Sequence, residues 1–270
     1  MSTTRRLTFM LTVAEIARFL DAFAPPALAE SWDNVGLLVG NYEQPVRKIM
    51  TCLTITPESA REAVAAQADL IVSHHPLPFR PLKRLTAETS EGRLLLNLIA
   101  AKISVYSPHT AFDSAQQGIN QRLAAGLQLE DIAPLVPGTE LGQGAGRFGR
   151  LRAPLSLSAL AARVKQLLAI DNIQAVGPLD QVVERVAVAC GSAGEFLAPA
   201  KAALCDCLVT GEVRFHACLE AESLGVGMIL AGHFASERFA VEELAGVLAE
   251  TFPSLQVWAS QQERDPVQWL

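Results

Sequence analysis

Nowhere in the 270 residues does an apolar run reach the roughly 18–20 residues that a bilayer-spanning helix needs, because acidic and polar residues interrupt every such stretch. No membrane association is expected. There is also no block of Lys and Arg: 22 basic residues stand against 28 acidic, a net charge of −6, so a surface built to neutralise nucleic-acid phosphates is not indicated. Cysteine is scarce and odd in number. Cys52, Cys190, Cys205, Cys207 and Cys218 contain no C-x-x-C pair and mostly occupy apolar segments, which suits free thiols in a reducing, cytoplasmic compartment. Charged residues make up only 19% against 50% hydrophobic, which excludes intrinsic disorder, and the length suffices to bury a core without disulfides. The five glycines of 138–149 fit neither a P-loop nor a dinucleotide fingerprint. At the N-terminus Arg5-Arg6, the apolar stretch 7–14 and Ala22-Phe23-Ala24 imitate a secretory leader. Glu15, Arg18 and Asp21 at helical spacing, with Thr12 and Glu15 placed for a capping box, predict instead a tail and then an amphipathic helix.

Helix-period segments alternate with short apolar runs along most of the chain, which predicts an α/β fold. Strands are expected at 48–54, 70–73, 103–107, 147–152, 183–190, 207–210 and 226–231, and helices at 12–22, 57–67, 91–101, 115–126, 156–168, 194–204, 213–223 and 236–250. The Pro/Gly-rich stretch 134–149 interrupts the alternation and predicts a boundary, giving lobes 1–133 and 134–270, each able to fold alone, with a C-terminal segment free to pack across them. Residues 48–75 align without a gap on 185–212 at an offset of 137, with Glu58/Glu195, Ala63/Ala200, Asp69/Asp206 and Val72/Val209 among six identities. Two similar α/β lobes related by internal duplication are therefore expected.

Only five histidines exist, and His74, His75, His109 and His233 fall just past the ends of expected strands, where open α/β sheets place their ligand sites. Adjacent His74 and His75 can face one cavity only if the backbone leaves the strand there, as Pro76 and Pro78 suggest. Ser236 is a plausible N-cap that would put Glu237 in a first helical turn. Complementing the helix dipole would account for Glu237 but leaves His233 unexplained. Asp113 follows His109 at the same spacing, so each half offers a His-x-x-x-acid exit. Three imidazoles and two carboxylates without a thiolate suit Zn, Fe(II), Mn, Co or Ni. Two such divalent ions would keep the site net positive and favour an anionic ligand. Cys205-x-Cys207 reads as core packing, and Asp33 and Asn34 as either turn structure or hydrogen-bonding groups at the site. Arg80, Arg147 and Arg238 are candidates for a phosphate-binding cation that the sequence alone does not place.

The segments Trp32-Asp33-Asn34-Val35-Gly36-Leu37-Leu38-Val39-Gly40, Ser73-His74-His75-Pro76, His109-Thr110-x-x-Asp113, Thr210-Gly211-Glu212 and Gly232-His233-Phe234-x-x-x-Glu237 resemble, in order and spacing, the Nif-three-like family, also labelled GTP cyclohydrolase type 2 homologues. The resemblance covers about residues 10–265. It implies a dinuclear metal site between the lobes, with His74 and Asp113 on one ion, His75 and His233 on the other and Glu237 bridging. It also implies a ring-shaped homohexamer. His109 matches a nearby family histidine without an assigned role, and His216 stands where the family usually carries a histidine pair, so both are candidates for supporting positions beside the ions. The expected activity is metal-dependent hydrolysis of a phosphorylated or nucleotide-like small molecule through a bridged water, against a rival expectation of a non-enzymatic metal store or interaction scaffold.

Overall fold

The computed structural model describes residues 10–139 and 142–268. Thr12 and Glu15 form the expected capping box of α1 (Val13–Phe23), and Val13, Ile16, Ala17 and Leu20 bury one face of it. The tail expected before it lies outside the described residues, apart from the few nearest the helix. β1 (Gly36–Val39), β2 (Lys48–Cys52), α2 (Pro57–Ala66), β3 (Leu70–Ser73), α3 (Ser90–Ala100) and β4 (Ser104–Ser107) follow. Two short helices, α4 (His109–Ser114) and α5 (Ile119–Gly126), then replace the single helix expected over 115–126. The chain becomes extended at Ala115 and turns at Gly118, where a Cβ would lie 1.9 Å from the Phe112 carbonyl.

The stretch 134–149 is not a linker. β5 (Glu130–Pro137) and β6 (Gly144–Ser156) form an antiparallel hairpin, and the expected boundary at 133/134 falls inside β5. Pro134 and Pro137 are tolerated because β5 is an edge strand. The remaining elements are α6 (Leu157–Leu168), β7 (Gln174–Val176), β8 (Val182–Ser192), α7 (Leu197–Ala202), β9 (Cys207–Glu212), α8 (Phe215–Leu224), β10 (Gly227–Leu230), α9 (His233–Thr251) and β11 (Gln256–Ala259). One sheet has the order β1-β4-β3-β2-β11 and the other β5-β6-β8-β9-β10-β7. No helix among the described residues is long and apolar enough to cross a membrane.

The two sheets share a four-strand unit whose register repeats. In β2 and β3, Ile49 pairs with Leu70 and Thr51 with Val72; in β8 and β9, Val186 pairs with Cys207 and Val188 with Val209, each 137 residues on. Asp69 Oδ2 accepts from the Arg47 and Lys48 amides, and Asp206 Oδ2 from those of Glu184 and Arg185. Gln44 and Gln181, also 137 apart, each donate a side-chain amide to the carbonyl of that aspartate. β4 and β10 extend the two units in parallel, and β1 and β7 close them antiparallel. Each half does carry its His-x-x-x-acid exit, although the ladders set Ser104 against Gly227, an offset of 123, which aligns His109 with Gly232, one residue short of His233.

The lobes are not independent. β11 joins the first sheet beside β2, with Val257 opposite Ile49. Ala240, Leu244 and Leu248 of α9 bury against Ile16, Leu20 and Ile49 of the first lobe, while Phe239 on the same helix also touches the second core. This helix brings the two sheet ends together.

Candidate metal centre

The expected residues meet where β3, β4 and β10 run out. After Ser73 the chain leaves the ladder, held by hydrogen bonds from the His74 amide to the Cys52 carbonyl and from the His75 amide to the Leu53 carbonyl. Both imidazoles then face one space, their ring centroids 5.2 Å apart. His233 and Glu237 differ from expectation in one respect. Ser236 does not cap the helix; α9 starts at His233, with Gly232 (φ +91) as its N-cap, so His233 and Glu237 lie one helical turn apart on the same face. Ser236 instead accepts from the Gly191 amide at 2.9 Å and donates to the His233 carbonyl at 2.8 Å. His109 and Asp113 occupy the corresponding turn of α4.

Glu237 is buried and central. Its Oε2 lies 3.1 Å from both His75 Nε2 and His233 Nε2, and its Oε1 lies 3.8 Å from His74 Nε2, which is 3.5 Å from Asp113 Oδ1. Two sets of donor atoms, from His74, His75 and His109 and from His75, His233 and Glu237, each lie within 4.8 Å of one another. His74 decides the fit to a metal: it is 2% exposed, yet neither ring nitrogen has a hydrogen-bond partner. A buried polar group left unsatisfied costs about 1–3 kcal/mol, and a cation accepted by its lone pair would remove that penalty. The mixed imidazole and carboxylate set suits a divalent transition ion.

The supporting residues were largely invisible in the sequence. Thr54 Oγ1 lies 2.7 Å from His75 Nδ1, Glu212 Oε1 lies 3.1 Å from His233 Nδ1, and Asp33 Oδ1 lies 2.7 Å from His109 Nδ1. The carboxylates of Glu212 and Asp33 favour a proton on Nδ1 of His233 and His109 and leave Nε2 as the free donor, and the Thr54 hydroxyl orients the His75 ring. Glu212 belongs to a segment already singled out, but Thr54 offers no signal. Cys190 donates its thiol to Asp113 Oδ1 at 3.2 Å, and Asn120 donates to the Asp113 carbonyl and accepts from the Cys190 amide. A lone cysteine in an apolar strand could only be read as core. Glu263 reaches back from the C-terminal segment to accept from the Leu53 amide at 2.8 Å and to pair with Arg238 at 3.0 Å. His216 stands apart, exposed on α8 beside Phe215.

Charge is finely balanced here. Burial alone would lower His74, but Asp113 and Glu237 outweigh it and hold the imidazole above its usual value. Burial opposes ionisation of Glu237, yet the histidines around it hold its carboxyl well below the carboxylate range. Burial, with the Glu237 charge adding, keeps Asp113 high. His75 is pushed down by burial. His233 is raised to about 9, first by its bond to Glu237 and then by Glu212, against the effect of burial. Asp33 is held at about 2, its burial outweighed by bonds from His109 and Thr110.

A cavity of about 770 Å³ opens on the centre, lined by Trp32, Phe79, His109, Asn120, Ser192 and Glu195 as well as His75, Asp113, His233 and Glu237. No Lys or Arg lines it among the described residues. Arg147 is buried elsewhere, donating to the carbonyls of Ser114, Ala115, Gly142, Gly144 and Gly146, and Arg238 is taken up by Ser260 and Glu263. Arg80 is exposed.

The model of a family described as Duf34/NIF3 (NGG1p interacting factor 3) matches residues 11–266. Over 262 residues the chain is 31% identical to a Clostridium acetobutylicum protein named GTP cyclohydrolase 1 type 2 homolog, covering 95% of this chain and 98% of that one. It is 32% identical to the Drosophila melanogaster NIF3-like protein 1, covering 94% and 88%. A Staphylococcus aureus hypothetical protein of known structure superposes with a TM-score of 0.89 at 27% identity, over 97% of this chain and all of that one. The fold, the clustered histidines and matches over nearly the whole length agree, and the chain belongs to the DUF34/NIF3 family.

Proposed function

We propose that the cleft holds two divalent ions and hydrolyses a phosphorylated or nucleotide-like small molecule. The observation that carries this reading is His74, buried with both ring nitrogens unpartnered between Asp113 and Glu237. His74 and Asp113 would hold one ion, His75 and His233 the other, and Glu237 would offer an oxygen to each side; Zn, Fe, Mn, Co and Ni all suit these donors. When bound, such a pair polarises a water and a substrate oxygen. Thr54, Glu212 and Asp33 keep the imidazoles oriented, and the cavity walls position the rest of the substrate. Because Glu30 and Glu195 add negative charge to a lining without Lys or Arg, an anionic substrate would be held only with the metals present. The names of the relatives support a nucleotide-like substrate. Exposed Phe215 and Leu219 on α8 support association of copies, for which a homohexamer is the expected form.

The same lining favours a second reading, a non-enzymatic metal store or interaction scaffold, since it supplies no Lys or Arg for a phosphate. Elemental analysis of the purified chain, combined with a screen of phosphatase, phosphodiesterase and nucleotide ring-opening activity, separates the two. Metal-dependent turnover supports the hydrolase; two metal equivalents without turnover support the store.

A further inference from the structure

We infer that Trp32 and Phe79 form a stacking platform at the cleft mouth for a planar conjugated ring on the substrate, a subsite that leaves the anionic end to the centre and so rests on the reading above for that end alone. Trp32 is 61% exposed and Phe79 45%, and both line the cavity that holds His75, Asp113 and Glu237. A tryptophan that anchored its turn would be buried. The turn is fixed without the indole: Asp33 takes the Asn34 amide at 2.7 Å, the His109 ring at 2.7 Å and the Thr110 amide at 3.1 Å. Asn34 donates to the Pro78 carbonyl at 2.8 Å, which ties the Trp32 turn to the segment carrying Phe79. The Trp32 and Phe79 ring centroids lie 6.0 Å apart, and the His109 ring stands nearly edge-on 6.0 Å from each. Two large rings thus stand in water on a hydrogen-bonded turn beside a polar centre. Exposed aromatic faces of this kind are where a flat ligand gains most, because every conjugated ring offers a π-face and the platform loses little freedom on binding. With no Lys or Arg in the lining, these rings are the strongest remaining contact for the non-reacting part of a substrate. The cavity volume is also of the size that encloses a small organic ligand.

The test compares adenosine 5′-monophosphate with ribose 5-phosphate, which lacks the ring, by calorimetric titration of the metal-loaded full chain. The wild type should bind the nucleotide at least roughly tenfold more tightly. Trp32→Ala should remove roughly that factor for the nucleotide and leave ribose 5-phosphate unchanged, Phe79→Ala should do so in part, and Trp32→Phe should retain most of it. Unchanged nucleotide affinity in Trp32→Ala, equal loss for both ligands, or no binding of either would overturn the platform. A lower sedimenting mass in Trp32→Ala would also overturn it, by showing that a second copy covers the indole. Repeating the titrations after chelation isolates the other reading: if each ligand binds as tightly without metal as with it while Trp32→Ala still weakens the nucleotide alone, the platform stands and the metal-dependent site does not.

Discussion

Gly191 tests the centre from outside the ligand set. It sits at φ +66, and a Cβ there would lie 2.2 Å from Glu237 Oε1. Gly191→Ala should therefore displace the carboxylate, lower metal content and destabilise the chain by about 1–2 kcal/mol from backbone strain alone, read by elemental analysis and a melt; unchanged metal would place Glu237 elsewhere. His233 sets the pH dependence. Its folded value of about 9 exceeds the ordinary 6.5, so the charged pair with Glu237 contributes stability to the metal-free chain in full below about pH 6.5 and loses it as pH rises through about 9. A metal needs the neutral imidazole, so its affinity rises over the same window. The melting difference between loaded and chelated protein should thus widen from pH 6.5 to 9, and a constant difference would contradict histidine ligation. Reference values alone predict that affinity falls only below about pH 6; the carboxylates packed against His233 move that limit upward. That His74, His75 and His233 would meet was legible because histidine is rare here and its placement past strands is informative, while the roles of Asp113 and Glu237 rested on the family resemblance. Thr54, Cys190 and Asn120 were not, because their roles depend on which atoms the fold brings within 3.2 Å, and neither spacing nor residue type carries that.

At the scale of elements, Asp69 and Asp206 do the same work in the two sheets, each accepting two consecutive backbone amides, at the start of β2 and early in β8. Asp69→Ala and Asp206→Ala should each cost about 0.5–1.5 kcal/mol by removing those hydrogen bonds, measured by denaturant unfolding; a large difference between them would mean that the two units are not equivalent. The repeat was readable because an ungapped offset of 137 preserves both the strand period and these aspartates. The hairpin of β5 and β6 was not, because prolines and glycines that usually end regular structure are tolerated on an edge strand and at a turn of positive φ. β11 escaped notice as well, since four residues between polar segments carry no period of their own. The break between α4 and α5 depends on the close approach of Gly118 to the Phe112 carbonyl, a tertiary fact.

The whole molecule is tied together more tightly than two self-sufficient lobes would be. A fragment ending at residue 133 would cut β5 and lose both β11 from the edge of its sheet and the α9 side chains that complete its core. Burial of side chains such as Leu244 and Leu248 is worth about 1.5–3 kcal/mol each, a large part of a domain's net stability. That fragment should lack a cooperative melt, contrary to what the lobe pattern suggests; a sharp transition would show that the shared helix is dispensable. Because the proposed metal donors come from both lobes, with His74, His75 and Asp113 on one and His233 and Glu237 on the other, metal should raise the melting temperature of the intact chain. The most direct test of the account is metal stoichiometry in the wild type, Glu237→Gln and Cys205→Ala after loading and gel filtration. Two equivalents per chain are expected in the wild type and in Cys205→Ala, whose thiol is buried in the second lobe among Leu197, Ala200 and Leu208, with loss of most metal from both positions in Glu237→Gln. Two equivalents retained by Glu237→Gln, or none bound by the wild type, would contradict it.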